Sequence, residues 1–205
     1  MLRFPILLTN DDGINSPGLQ HLASSLHSLG HPIAILAPLT EQSAVGMKLT
    51  LRDDMAFEEH TDIAEKIRTD ESAPLRVFSL DGSPCDCVIV AIDGGLRSLA
   101  PEIRPWLCIS GINRGPNLSI DVLHSGTVSA AREASLYGLP SLSVSLATYS
   151  HQDYSQSIEA TLALVERLSH LVTAEPSNIL RPEGSKMRPI RGTGTNSLRS
   201  WFMQG

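Results

Sequence analysis

The chain has 205 residues, of which 41% are hydrophobic and 19% are charged, a balance typical of one folded domain with its own core. Its formal net charge of -6 argues against broad binding of nucleic-acid polymers, because such binding needs a basic surface that displaces counterions. The short apolar stretch near the N-terminus ends at two aspartates, so we expect no signal peptide, no membrane partner and a cytoplasmic location.

In the first half of the chain, apolar runs alternate with a helical pattern, which predicts βαβ units and a mostly parallel sheet. We expect a strand over residues 4–9, a helix that Ser16 caps and Gly30 ends, and a strand over residues 33–37. The helix is expected to face the core with Leu19, Leu22, Ala23, Leu26 and Leu29. Residues 48–51 and 76–80 are expected to be extended and to flank an exposed, acidic β-excursion.

The second half repeats the alternation. The predicted elements are a helix that Ser83 and Pro84 begin, a strand over 106–110, a helix over 128–137, a strand over 139–146 and a helix over 154–172. Cys85, Cys87 and Cys108 are an odd number and suggest buried thiols, whereas zinc binding is the weaker interpretation because no second cysteine pair or suitably spaced histidine is present.

Two adjacent carboxylates, Asp11 and Asp12, follow the first predicted strand and precede Gly13. In a parallel α/β sheet, ligands bind outside the carboxyl ends of the strands, so these acids are placed to face a crevice. Their mutual repulsion would be offset by a hard divalent cation, which prefers oxygen ligands. The competing interpretation is a solvated turn, since aspartate and glycine are common turn residues.

Three further loops follow predicted strands and carry polar groups. One contains Ser43; another, residues 110–117, combines two glycines, a proline and two asparagines that can approach or bind a ligand. The third, residues 124–127, leads into a helix that Thr127 is predicted to cap, and its free N–H groups favour a phosphate. His124 could protonate a leaving group, although a structural role is the alternative. Together these groups outline a phosphoryl-transfer site.

Five segments resemble the SurE (survival protein E) family of metal-dependent nucleotidases and phosphatases. They are residues 9–13 (TNDDG), 37–44 (APLTEQSA), 82–88 (GSPCDCV), 110–117 (SGINRGPN) and 124–131 (HSGTVSAA). The resemblance covers about residues 4–172 and implies a Rossmann-like, three-layer α/β sandwich. It also implies hydrolysis of nucleoside 5'-monophosphates, and of other phosphate esters or short polyphosphate, with one divalent cation such as Mg²⁺ or Mn²⁺ per subunit.

By matching position, the resemblance assigns the metal ligands and the phosphate-binding groups. The metal ligands would be Asp11, Asp12, Ser43 and Asn113. The phosphate would be held by Asn117, Ser125, Gly126 and Thr127. The two aspartates would also be catalytic, either by accepting a proton from an attacking water that the metal positions or by forming an aspartyl-phosphate.

The carboxyl end differs from the family pattern, because members usually continue further with elements that clasp a partner subunit. We therefore expect a catalytic domain over residues 1–174, with residues 175–205 as an atypical, flexible tail of a shortened C-terminal region. The family implies a homodimer or tetramer. Two other functions stay open: a non-catalytic, metal-dependent nucleotide or phosphate sensor, and a metal-dependent glycosyltransferase, for which the usual Asp-x-Asp spacing is missing.

Overall fold

One mixed sheet forms the centre of the computed structural model, which describes residues 3–170 and the backbone of residues 197–198. The strands are β1 (Ile6–Thr9), β2 (Ile33–Pro38), β3 (Met55–Glu59), β4 (Leu75–Leu80), β5 (Leu107–Asn113), β6 (Ser141–Ser145) and β7 (Ser197–Leu198). Their order is β6-β5-β1-β2-β4-β3-β7. The first five strands of that order are parallel, and β3 is antiparallel to β4 and β7. The predicted mostly parallel sheet is therefore confirmed.

Helices cover both faces of the sheet and complete the predicted three-layer sandwich. They are α1 (Pro17–Ser28), α2 (Thr61–Ile67), α3 (Pro84–Val90), α4 (Leu96–Leu99), α5 (Asp121–His124), α6 (Gly126–Leu136) and α7 (Ser155–Ser169). One core joins α1, α2 and α7 to side chains such as Leu8 and Ile35, and a second joins α3, α4 and α6 to Leu7 and Leu36. Because successive strand residues point to opposite faces, β1 and β2 contribute to both cores.

Several predicted boundaries were wrong for identifiable reasons. Leu29 is exposed rather than buried because α1 ends one residue earlier, whereas the other four predicted core residues of that helix are buried. The acidic segment is not simply exposed: it contains β3 and α2, and the i, i+1, i+4 spacing of Ile63, Ala64 and Ile67 buries one face of α2. Residues 48–51 form no strand, and the extended segment begins later, with β3 at Met55.

Other differences affect the predicted loops and the tail. The strand predicted to end at Ser110 continues to Asn113, since Asn113 still pairs with Ser145 after an irregularity in the register. The helix predicted to end at residue 172 is described to Ser169. The predicted tail and its boundary at residue 174 lie outside the described residues, apart from the two residues of β7. Within the described part, no helix is long and apolar enough to cross a membrane.

The three cysteines are buried and free, as predicted for structural thiols. Burial raises the pKa of Cys85 and of Cys108 to about 12. Cys85 and Cys87 lie on α3, whose start is fixed by a reciprocal cap: Ser83 accepts the Asp86 N–H while the Asp86 carboxylate accepts the Ser83 N–H. Residues 83–90 therefore stabilise the fold, and their capping bonds lie at the start of α3 itself.

Candidate functional site

The segments that follow β1 and β2 and the start of α6 meet at Asp11. The backbone N–H of Gln42 donates to the carbonyl oxygen of Asp11 at 2.7 Å, which ties the loop after β2 to the end of β1. A Cβ atom placed on Gly126 would lie 2.7 Å from Asp11 Cβ and 3.2 Å from the Gln42 carbonyl oxygen. The missing side chain of Gly126 thus lets α6 begin directly beside the aspartate.

Asp11 is held rigidly at the N-terminus of α6. Its carboxylate accepts the backbone N–H of Thr127 at 2.9 Å and, through the other oxygen, a short hydrogen bond from the Thr127 hydroxyl. The side chain is buried, and this burial raises the pKa of Asp11, although the hydrogen bonds from Thr127 act in the opposite direction. Asp11 is therefore a fixed carboxylate, and its hydrogen bonds do not fully offset the free-energy cost of burying the ionised form.

Asp12 has a different environment from that of its neighbour. Its Oδ2 accepts the backbone N–H of Arg114 at 3.0 Å, in the segment that follows β5. Burial and, secondly, the charge of Asp11 raise the pKa of Asp12 to about 6, and the charge of Glu41 adds to the effect. The competing interpretation of a solvated turn is therefore wrong, since both carboxylates are packed against other segments.

Thr127 connects Asp11 to Asn113 and does not cap the helix. Its hydroxyl lies 3.2 Å from Asn113 Oδ1 as well as against Asp11. The capping residue is Ser125, whose Oγ accepts the Val128 N–H at 3.1 Å, so the predicted cap was wrong by two residues. Thr127 is already inside the first turn of α6, and its hydroxyl bonds to the Asp11 carboxylate instead. Asp11, Asn113, Ser125, Gly126 and Thr127 thus form one contiguous group.

The other candidate residues bond to partners outside this group. The Ser43 hydroxyl is exposed and donates to Glu41 Oε1 at 2.6 Å. The Asn117 amide donates to Ser145 Oγ at 2.9 Å, toward β6. His124 is exposed, and its backbone carbonyl accepts the Gly46 N–H. Among the described residues, no hydrogen bond or ion pair joins His124 to either aspartate, and its role as a proton donor stays a prediction.

Two charged residues of the site were not selected from the sequence. Glu41 bonds to Ser43 and acts on the pKa of Asp12, while the charge of Arg114 lowers the pKa of Asp12. Both lie in the segments that carry predicted metal ligands, Glu41 two residues before Ser43 and Arg114 directly after Asn113, and these positions are their only signal in the sequence. Arg114 gives the site a cationic group that is exposed to solvent.

The donor set suits a hard divalent cation. Two carboxylates with raised pKa values lie side by side, and among residues 3–170 neither forms a salt bridge with a lysine, arginine or histidine. Asn113 adds an amide oxygen nearby, and oxygen ligands are those that Mg²⁺ and Mn²⁺ prefer. The same residues contain no cluster of three or more His, Cys, Asp or Glu with metal-binding geometry, so any site here depends on amide or hydroxyl oxygens and water.

Comparison with known proteins gives consistent matches. The family model described as Survival protein SurE matches residues 6–197. The 5'-nucleotidase SurE of Syntrophotalea carbinolica is 43% identical over 192 residues, which cover 92% of this chain and 69% of that protein. The 5'-nucleotidase SurE of Synechococcus elongatus is 41% identical over 165 residues, or 80% of this chain and 59% of that protein.

A solved structure matches as well. The crystal structure of the SurE protein from Aquifex aeolicus superimposes with a TM-score of 0.64 and 32% identity, over 83% of this chain and 61% of that one. The chain thus spans about three fifths to two thirds of the length of these relatives. The matched regions include every element that builds the site from β1 to α6, and the chain belongs to the SurE family.

Proposed function

We propose that this protein is a divalent-metal-dependent phosphomonoester hydrolase that acts on nucleoside 5'-monophosphates and releases nucleoside and phosphate. The observation that carries the proposal is that two carboxylates with raised pKa values lie side by side, Asp11 against the N-terminus of α6 and Asp12 against the segment after β5. An anionic substrate and a cation can meet there, because the helix terminus favours negative charge and the carboxylates favour positive charge. The name of the relatives, 5'-nucleotidase SurE, supports the same reaction.

The metal would be held by Asp11, Asp12 and Asn113, with Ser43 from the adjoining loop. When bound, such an ion polarises a phosphoryl oxygen and lowers the pKa of a coordinated water. The residues of the chain then have separate tasks. Ser125, Gly126 and Thr127 present the start of α6 to the phosphate, and Asn117 adds a side-chain amide.

Asp12 is the better placed of the two aspartates to receive a proton. It is the more exposed carboxylate and accepts one backbone N–H, that of Arg114, whereas Asp11 is fixed by two donors from Thr127. In direct hydrolysis, the water oxygen bonds to phosphorus and gives a proton to Asp12, while the P–O bond to the nucleoside breaks and the 5'-oxygen takes a proton from solvent. In the covalent route, an aspartate oxygen bonds to phosphorus and displaces the nucleoside, whose 5'-oxygen takes a proton from solvent, and water then hydrolyses the aspartyl-phosphate. Phosphate transfer to added alcohols, measured against hydrolysis, separates the two routes.

The proposal is tested by phosphate release from a panel of nucleoside 5'-monophosphates and an aryl phosphate, with EDTA, Mg²⁺ or Mn²⁺. We expect release that needs the metal and falls at least 100-fold in Asp11→Asn. Asp62→Asn is the matched control, since Asp62 is an exposed helix residue in a surface ion pair with Lys66. Metal-independent release, or full activity in Asp11→Asn, would refute the proposal.

The two alternative functions have less support. A non-catalytic nucleotide sensor is not supported, because the matched curated relatives carry the name of an enzyme. A glycosyltransferase does not agree with membership in the SurE family. Hydrolysis of short polyphosphate, the homodimer or tetramer and the cytoplasmic location stay predictions.

A further inference from the structure

Tyr149 is the most exposed large hydrophobic side chain in the described part of the chain, with 77% of its surface accessible. It lies in the loop between β6 and α7, yet its ring rests on the backbone of Gly115. A Cβ atom placed on Gly115 would lie only 2.0 Å from Tyr149 Cε1, and the Tyr149 hydroxyl lies 3.4 Å from the carbonyl oxygen of Pro116. The ring is thus supported on one side and open to solvent on the other.

The position of the ring relates it to the proposed catalytic group. The ring lies on Gly115, and the backbone N–H of Arg114, the residue before it, donates to Asp12 at 3.0 Å. Adjacent Cα atoms are about 3.8 Å apart, so only a short peptide segment separates the ring from the two carboxylates. Strand β6 is parallel to β5, so the loop that carries Tyr149 leaves the same edge of the sheet as the loop from Asn113 to Asn117.

The contact between Tyr149 and Gly115 depends on a specific residue. Gly115 has φ of +120°, a conformation that a side chain disfavours, and any side chain there would overlap the ring. The tyrosine hydroxyl is directed to a backbone carbonyl and not to Asp12 or Asn113. The feature that remains available is therefore the aromatic face, and aromatic faces bind nucleobases by stacking with little regard to sequence.

We propose that Tyr149 forms a base-stacking platform, on which the purine or pyrimidine of a nucleoside 5'-monophosphate lies while its phosphate binds at the start of α6. This inference rests on the proposed function and adds a specificity residue to it. Stacking accepts every base, so the platform favours nucleotides over sugar phosphates without selecting one nucleobase. Purines should bind more tightly than pyrimidines because they offer a larger stacking surface.

The test compares phosphate release from AMP with release from ribose 5-phosphate, which has the same phosphate ester on the same sugar but no base. Tyr149→Ala should raise KM for AMP about fivefold or more, the range for loss of one base-aromatic stack, and leave ribose 5-phosphate unchanged. Tyr149→Phe should retain the value for AMP, since the ring is kept. Leu136→Ala is the matched control, because it removes an exposed apolar side chain from α6, 70% accessible.

An unchanged KM for AMP in Tyr149→Ala, or an equal rise for both substrates, would overturn the proposal. If the wild-type protein releases no phosphate from any ester, the proposed function fails and the platform is tested by equilibrium binding instead. AMP is then titrated into the wild-type protein and Tyr149→Ala in the presence of Mn²⁺. Weaker binding by the variant supports the platform, whereas equal affinity or no binding by the wild-type protein refutes it.

Discussion

Replacing Asp12 by asparagine should stabilise the metal-free protein at pH 8. In the wild-type protein, burial and the neighbouring Asp11 charge raise the pKa of Asp12 to about 6. At pH 8 the ionised carboxylate therefore lowers the free energy of unfolding. Asparagine has nearly the same shape and still offers an oxygen to the Arg114 N–H. The substitution therefore removes the charge and keeps the known hydrogen bond.

The size and the sign of the effect follow from linkage. The ordinary pKa of an aspartate is 3.8, and the difference from about 6 corresponds to roughly 3 kcal/mol at about 1.36 kcal/mol per pH unit. Because the Asp12 carboxylate keeps part of its hydration, we reduce this figure to about 1–2 kcal/mol. Because the pKa of Asp12 is raised in the folded protein, protonated Asp12 contributes fully to the free energy of unfolding below pH 3.8. This contribution is lost as the pH rises through about 6.

Urea unfolding in EDTA at pH 4 and pH 8 measures this difference. Asp12→Asn and the wild-type protein should be nearly equal at pH 4, and the variant should be about 1–2 kcal/mol more stable at pH 8. Asp53→Asn, which removes an exposed carboxylate, is the control and should show no such change. The reasoning fails if Asp12→Asn is no more stable at pH 8, or if its advantage is the same at both pH values.

Addition of Mn²⁺ should reverse the order of stability. A metal at 100 times its dissociation constant stabilises the state that binds it by about 2.7 kcal/mol. The wild-type protein should gain this amount at pH 8, whereas Asp12→Asn should gain much less because one carboxylate ligand is lost. An equal gain in both proteins would show that Asp12 is not a metal ligand.

Three other substitutions test the surroundings of the site. Thr127→Val should lower kcat/KM for AMP about 10- to 100-fold, because it removes the hydroxyl that orients Asp11, and Thr127→Ser should restore most of the activity. Gly126→Ala should weaken Mn²⁺ binding at least about tenfold in a calorimetric titration, since its methyl group would lie 2.7 Å from Asp11 Cβ. Ser83→Ala should lower the free energy of unfolding by about 1 kcal/mol in urea, through loss of the α3 cap, without changing KM for AMP.

Each of these expectations has a contrary result. If Thr127→Ser is as inactive as Thr127→Val, the hydroxyl is not the group that matters. Unchanged Mn²⁺ affinity in Gly126→Ala would show that α6 and Asp11 can separate freely. A changed KM in Ser83→Ala would place α3 in the substrate site, contrary to the contacts described here.

The sequence predicted the sheet because its signals are local and repeated. Alternating apolar runs, together with Pro17 and Pro84 at helix starts, define the βαβ order. The acidic segment was wrongly predicted to be exposed, because its three apolar residues, Ile63, Ala64 and Ile67, stand among charged residues and span little more than one helical turn. Their packing against the sheet shows that one face of α2 is buried.

The contacts within the site could not be predicted from the residues alone. Ser125 and Thr127 are both common capping residues, and the structure decides between them because α6 begins at Gly126. The bond from Thr127 to Asp11, 116 positions away in the chain, leaves no local pattern. Glu41 and Tyr149 were missed for a related reason. Their relevance comes from what lies next to them, Asp12 for the first and Gly115 for the second, and neither contact leaves a pattern in the sequence.

The two aspartates differ because adjacent side chains at the end of a strand diverge toward different neighbours. Asp11 reaches the start of α6 and Asp12 reaches the segment after β5, so one dipeptide joins two separate parts of the fold. Asp11 is buried and fixed, which suits a permanent ligand, whereas Asp12 keeps contact with solvent and a pKa of about 6. In the proposed function, these unequal carboxylates would act as a rigid metal ligand and a proton acceptor, and metal binding would offset the free energy that holding both charges side by side costs.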